Sequence, residues 1–313
     1  MTWNIQRELL RFGPGVTYPP VSLAEARRYC RQLARTHYEN FTVVSMLLPA
    51  ELVRHFQHVY AWCRFADDLA DETGKAQHAL SLLRWWRDET LQMYRGHARH
   101  PILVALYETV MRFQIPSKPF LDLIFAFEQD QLVKRYATFA QLLDYCKNSA
   151  NPVGRLVLYL CQAHTPENAQ LADHICTALQ LANFWQDVLP DLRKGRIYLP
   201  EEDRRAFGVT EADIQSRLFT PAFARLMQFE VNRTRAMFQA GAPLIERVPP
   251  PLRVDIELFV QGGLAILKRI ESAHYNVLAK RPTVSKLYKG WLFLRALLRH
   301  WQVEVLERER RDA

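Results

Sequence analysis

Apolar residues recur every three to four positions along this chain, in runs opened or closed by proline, and that pattern restricts it to helices. Pro49, Pro101, Pro116, Pro119, Pro166, Pro221 and Pro282 fall at the joints between the runs, where a missing N–H does little harm. The periodicity predicts helices over 23–35, 52–72, 79–94, 102–114, 119–132, 139–161, 166–189, 221–240, 252–281 and 284–309. Ser22 is placed to cap the first of them. No Asn-Gly or Asp-Gly hairpin sits between alternating runs, and nothing repeats at solenoid spacing. No linker is long enough to separate a second domain, so the expected fold is all-α, a single-domain helical bundle over residues 1–313.

Composition narrows the function classes. A hydrophobic share of 49% excludes a disordered chain. Lys and Arg number 41 against 33 Asp and Glu, a net +8, yet the basic residues are dispersed and no reader motif appears, which sets nucleic acid aside as a partner. Cys30, Cys63, Cys146, Cys161 and Cys176 form an odd, widely spaced set without CxxC, expected as reduced thiols and not as a disulfide frame or zinc site. The opening MTWNIQRELLRFGPG lacks the apolar core of a secretory signal. No uncharged apolar run reaches the ~18 residues that a spanning helix needs. The expected location is therefore cytoplasmic.

The C-terminal stretch adds one qualification. Leu287, Trp291, Leu294, Leu298, Trp301 and Val305 share a helical face, and residues 280–313 hold nine Lys/Arg against four Asp/Glu. Such a helix can lie peripherally on an anionic surface such as the inner membrane face. The commoner use of an apolar stripe is packing on the core, and that is the expectation here.

Chemistry concentrates at Asp67-Asp68-Leu69-Ala70-Asp71-Glu72, with four carboxylates in six residues. On a helix Tyr60, Arg64, Asp67 and Asp71 share one face. Like charges at i, i+4 repel by roughly 0.2–0.5 kcal/mol when exposed. A hard divalent cation reverses that sign, since Mg²⁺ takes a few carboxylate oxygens and completes its shell with water and phosphate. A solvated acidic face is the plain alternative. The stripe geometry recurs at Gln180, Asn183 and Asp187, with Asp191 one turn beyond and Leu181, Trp185 and Val188 opposite. A buried polar network that sets helix register is the alternative there. Arg193, Lys194, Arg196 and Tyr198 follow at once. Acidic stripes with cations close behind are the components of a Mg²⁺–diphosphate site. Loss of a diphosphate leaves a carbocation, which aromatic faces hold and shield from water.

With these motifs in this order the sequence resembles the squalene/phytoene synthase family of head-to-head prenyl diphosphate synthases. The resemblance runs through HYENFTVVSMLLP, VYAWCRFADDLADE, LLDYCKNSANPVGRLVL, LQLANFWQDVLPDLRKGRIYLP and GGLAILKRIESAHYNVLAKRPTVSK. YENF and ANPVGRL look most like the bacterial hydroxysqualene synthase branch, in hopanoid biosynthesis. Related condensing enzymes carry serines ahead of Phe41, where this chain has Tyr38 and Asn40.

The resemblance implies an isoprenoid synthase-type bundle with a central cavity, and an enzyme acting on presqualene diphosphate or farnesyl diphosphate. It implies Asp67, Asp71, Asp187 and Asp191 as Mg²⁺ carboxylates, with Gln180 and Asn183 as polar groups at the second metal position. Arg64, Arg196, Tyr198 and Asn40 would meet the diphosphate. Phe41 and Tyr60 would line the reaction cavity, and Tyr145 would stabilise a cation or move a proton. Asp68 and Glu72 are expected behind the ligands and not among them. No dinucleotide motif is visible, which accords with a water-quenched product.

Two local interruptions are also expected. Pro190 lies between Asp187 and Asp191 and should end or kink its helix; Pro152 and Gly154 should do the same to theirs. The lone Glu271-x-x-His274 falls short of the paired motifs of a di-iron bundle.

Overall fold

A computed structural model describes residues 3–36 and 49–296, apart from Lys286 and Lys289. Among the described residues the secondary structure is helical, and the one isolated bridge pairs Arg135 with Ile197 in parallel. The fold is all-α, as the periodicity predicts. It divides into two compact units, residues 1–133 with 152–164, and residues 134–151 with 165–313.

The first unit is organised around helix Ala50–Asp71. It packs against helices Leu23–Thr36, Ala76–Tyr94, Pro101–Phe113 and Lys118–Leu132. Its inward stripe carries Trp62, Phe65 and Leu69, all fully buried. Trp62 meets Phe120 at 4.8 Å between ring centroids, and Phe65 meets Trp86 at 4.5 Å. The Trp62 indole N–H is satisfied by Thr90 Oγ1 at 3.0 Å, so the ring is buried without an orphaned donor. Ser22 caps helix Leu23–Thr36 as expected: its hydroxyl accepts from the Glu25 N–H at 3.3 Å, and the Glu25 carboxylate accepts from the Ser22 N–H at 3.0 Å.

In the second unit helix Pro166–Gln186 packs on helices Pro221–Gly241 and Pro250–Ser272. Thr-Pro pairs start two of these helices. Thr165 Oγ1 accepts from the Asn168 N–H and Thr220 Oγ1 from the Phe223 N–H, each at 3.1 Å, with proline at the first helical position. Trp185 is fully buried and donates to Thr234 Oγ1 at 2.8 Å. Gly263 permits the close approach of two helices: a Cβ there would overlap the buried Phe238 ring.

Three helical spans differ from the sequence reading, and so does the packing of the C-terminal stripe. The 139–161 run breaks at Ala150 into helices Phe139–Ser149 and Asn151–Leu160, because Pro152 has no N–H with which to continue the first. The 166–189 run ends at Gln186. The 252–281 run stops at Ser272, after which His274 and Tyr275 take φ values of 51° and 64°. The C-terminal stripe does not pack inward over its described length: Leu287, Trp291 and Leu294 are 89%, 49% and 60% exposed, while Leu292 and Ala296 are buried. Leu298, Trp301 and Val305 lie outside the described residues.

Candidate active site

In the first unit the last turns of helix Ala50–Asp71 display the acidic stripe. The Asp67 side chain is half-exposed and Asp71 is exposed, while Asp68 is buried, so adjacent carboxylates divide between solvent and core. Arg64 lies among them. Its Nη2 is 2.5 Å from Asp68 Oδ1 and 3.0 Å from Glu72 Oε1, and its Nη1 is 3.6 Å from Asp67 Oδ2. Asp68 Oδ2 accepts the indole N–H of Trp3 at 2.6 Å. Burial pushes the Asp68 carboxyl up to about 7, against the downward pull of Trp3 and Arg64. Tyr60 is half-buried, and its hydroxyl is raised chiefly by burial. Asn40 and Phe41 lie outside the described residues.

In the second unit Gln180 and Asp187 are half-buried and Asn183 is exposed, with Leu181, Trp185 and Val188 buried on the other side. The helix is interrupted at Asp187, where Pro190 has no N–H for the Gln186 carbonyl, and resumes as Val188–Arg193. One turn is preserved across the break: the Asp191 N–H still bonds the Asp187 carbonyl at 2.9 Å. Beyond it the Asp191 carbonyl accepts from the Lys194 and Arg196 N–H groups at 3.0 and 2.8 Å, reversing the chain. Gly195 makes that reversal possible at φ 71°, a conformation that side chains disfavour.

The returning stretch of chain delivers Tyr198 onto Phe184, the rings stacked at 3.7 Å and 7°. Tyr145 lies 6.0 Å from Tyr198 and 6.2 Å from Phe184, and Tyr136 lies 5.5 Å from Tyr145. Tyr145 and Tyr198, singled out from separate motifs, thus belong to one buried aromatic cluster, which also contains Phe184 and Tyr136. Arg135 serves structure here, since its guanidinium grips Glu211 and the Gly195 carbonyl.

Sequence reasoning missed Arg281. Its Nε donates to Asp187 Oδ1 and its Nη2 to Asp187 Oδ2 at 3.0 Å, while the Gln186 side-chain amide donates to the Pro282 carbonyl at 2.5 Å. A separation of 94 residues leaves no periodic signal for such a pair. Among the described residues no three His, Cys, Asp or Glu side chains gather into a cluster that would hold an ion alone. The donor set nonetheless suits a hard divalent cation. The stripes offer carboxylate oxygens without thiolate or imidazole, and Asp187 already grips a cationic group in bidentate fashion.

Residues 34–288 match the squalene/phytoene synthase family. The 15-cis-phytoene synthase of Synechococcus elongatus is 30% identical over 281 residues, covering 85% of this chain and 91% of its own. The phytoene synthase of Arthrospira platensis is 29% identical over 284 residues, covering 86% and 92%. Among solved structures, the squalene synthase HpnC from Alicyclobacillus acidocaldarius is 43% identical with a TM-score of 0.78, over 82% of this chain and 97% of that one. A dehydrosqualene synthase solved in complex with ligand shares the fold at a TM-score of 0.79 and 23% identity, covering 88% and 96%. The chain belongs to the squalene/phytoene synthase family and is an enzyme of head-to-head prenyl diphosphate chemistry, built on the isoprenoid synthase-type helical fold.

Proposed function

We propose that this enzyme converts presqualene diphosphate and water to hydroxysqualene and diphosphate, a step of squalene and hopanoid biosynthesis, with Mg²⁺ as cofactor. The observation that carries this reading is the graded similarity: 43% identity to a squalene synthase against 29–30% to phytoene synthases. Tyr38 and Asn40, in place of the serines of condensing relatives, support it. The family match runs through both compact units, which supports their working as one catalytic domain.

In this reading Asp67 and Asp71 of the first unit, and Asn183, Asp187 and Asp191 of the second, are the residues that would hold Mg²⁺, which when bound would neutralise charge on the leaving diphosphate. Arg64, Arg196, Gln180, Tyr198 and Asn40 bind and orient the diphosphate oxygens. The C–O bond breaks with its electron pair leaving on diphosphate, and the cyclopropylcarbinyl cation rearranges. Phe41, Tyr60 and the Tyr145 cluster present ring faces to the positive charge. Water adds to the cation and gives up its proton beside Tyr145 and Asn183.

Incubation with Mg²⁺ and presqualene diphosphate, without NADPH and in parallel with farnesyl and geranylgeranyl diphosphates, is expected to yield hydroxysqualene by mass spectrometry. Presqualene diphosphate or phytoene formed from the shorter substrates would assign the chain to condensation, as the names of its curated relatives suggest. Silence on all three from folded protein would leave a non-catalytic helical partner of the pathway.

The exposed Leu287, Trp291 and Leu294, on a basic stretch, support peripheral contact with an anionic bilayer at the cytoplasmic face. No helix among the described residues is long and apolar enough to cross a membrane. The protein is expected to sediment with phosphatidylglycerol vesicles, and Trp291→Glu with Leu294→Glu to remain in the supernatant. Equal sedimentation of both proteins would discard this surface.

A further inference from the structure

The segment ahead of residue 34 lies outside the family match, yet it reaches the first acidic stripe. Asp68 is 1% exposed, and a buried carboxylate needs partners for both oxygens. Its Oδ1 faces Arg64 Nη2 at 2.5 Å and its Oδ2 takes the Trp3 indole N–H at 2.6 Å. The Trp3 bond is of the charge-assisted class, and Arg64 meets Oδ1 as an ion pair without hydrogen-bond geometry. Trp3 is itself held edge-on by Tyr29 and Phe65, at 6.0 and 6.4 Å between centroids. Two neighbours fasten the same segment: Ile5 is buried, and the Gln6 amide donates to the Glu72 carbonyl at 3.4 Å.

The consequence falls on Arg64. Its Nη2 is occupied by Asp68 and Glu72, which leaves the Nη1 edge toward half-exposed Asp67. We infer that Trp3 and Asp68 are positioning residues for Arg64, holding its guanidinium in the orientation that receives a diphosphate. Asp68 grips one corner of the fork, and Trp3 fixes Asp68 by satisfying the oxygen that Arg64 leaves. The N-terminal segment then belongs to the diphosphate-binding machinery and is not merely a covering for the core. This inference rests on the reading of Arg64 as a diphosphate ligand.

The test is calorimetric titration of the full-length protein with inorganic diphosphate in Mg²⁺, independent of turnover. Trp3→Phe keeps an aromatic ring but removes the donor; Asp68→Asn keeps the shape but removes the charge. Each is expected to weaken diphosphate binding about tenfold, the effect of losing a hydrogen bond to a charged group. Neither change is expected to weaken binding further in an Arg64→Ala background, while melting curves confirm folding. Wild-type affinity in both variants, or the same loss with and without Arg64, would overturn the inference and leave the enzyme assignment standing. Failure of the wild type to bind diphosphate would remove the reading of the site itself, and the inference with it.

Discussion

Alanine at Asp187 is expected to lower kcat/KM by about 10²–10³-fold, the usual loss when a group stabilising transition-state charge is removed. Asp187 accepts from two nitrogens of Arg281. Its removal deprives that guanidinium of its carboxylate at the end of helix Pro166–Gln186, so circular dichroism and melting curves belong beside the kinetics. Asp191→Ala is expected to lose activity as well. The preserved hydrogen bond across the Pro190 interruption keeps Asp191 one turn from Asp187. Full activity in Asp191→Ala, with Asp187→Ala inactive, would strike Asp191 from the proposed ligand set.

Asparagine at Asp255 is expected to stabilise the protein, and to do so mainly at alkaline pH. Asp255 is fully buried in helix Pro250–Ser272, and neither carboxylate oxygen has a hydrogen-bond partner. Burial alone raises its carboxyl to about 7 from an ordinary 3.8. A folded value above the unfolded one means that stability is fully present below pH 3.8 and is lost as pH rises through about 7. The expected gain from Asp255→Asn is roughly 2–4 kcal/mol at pH 8.5 and about 1 kcal/mol at pH 4.5. Urea unfolding at the two pH values measures it; an equal gain at both would show that ionisation of Asp255 does not carry the cost.

The buried histidines act in the opposite direction. Burial lowers both His58 and His100 to about 3 from 6.5. Their contribution is present above pH 6.5 and is lost as pH falls toward 3. Between about pH 4 and 6.5 the buried acid and the buried imidazoles offset one another.

The features legible in the sequence were those with a local physical signature. Ser22 and the prolines at the joints announced helix ends, because a capping hydroxyl and a missing N–H both act within a single turn. The two carboxylate stripes stood out because helical geometry turns spacing into a shared face. The end of helix Pro250–Ser272 was invisible, since the chain stops there through left-handed His274 and Tyr275, with no glycine or proline before Pro282. Long-range pairs were equally hidden. Trp3 and Asp68 are 65 residues apart, and no periodicity relates an indole to a carboxylate across that distance. Asp68 shows the limit within a single motif. An Arg64–Asp68 pair at i, i+4 is readable, but its burial depends on neighbours that the motif does not contain.

The Asp187–Arg281 pair makes ion affinity at this carboxylate a difference between two states, not a property of its oxygens alone. Under the proposed reading a divalent ion and an internal guanidinium compete for the same lone pairs, so the observed affinity is the intrinsic one less the strength of the resident contact. Linkage makes the relation reciprocal. Whatever fastens residues 281–282, such as the Gln186–Pro282 hydrogen bond, disfavours the ion-loaded state, and loading the ion in turn frees that segment. If Asp187 holds the ion as proposed, Arg281 is the group that occupies the carboxylate until the ion displaces it.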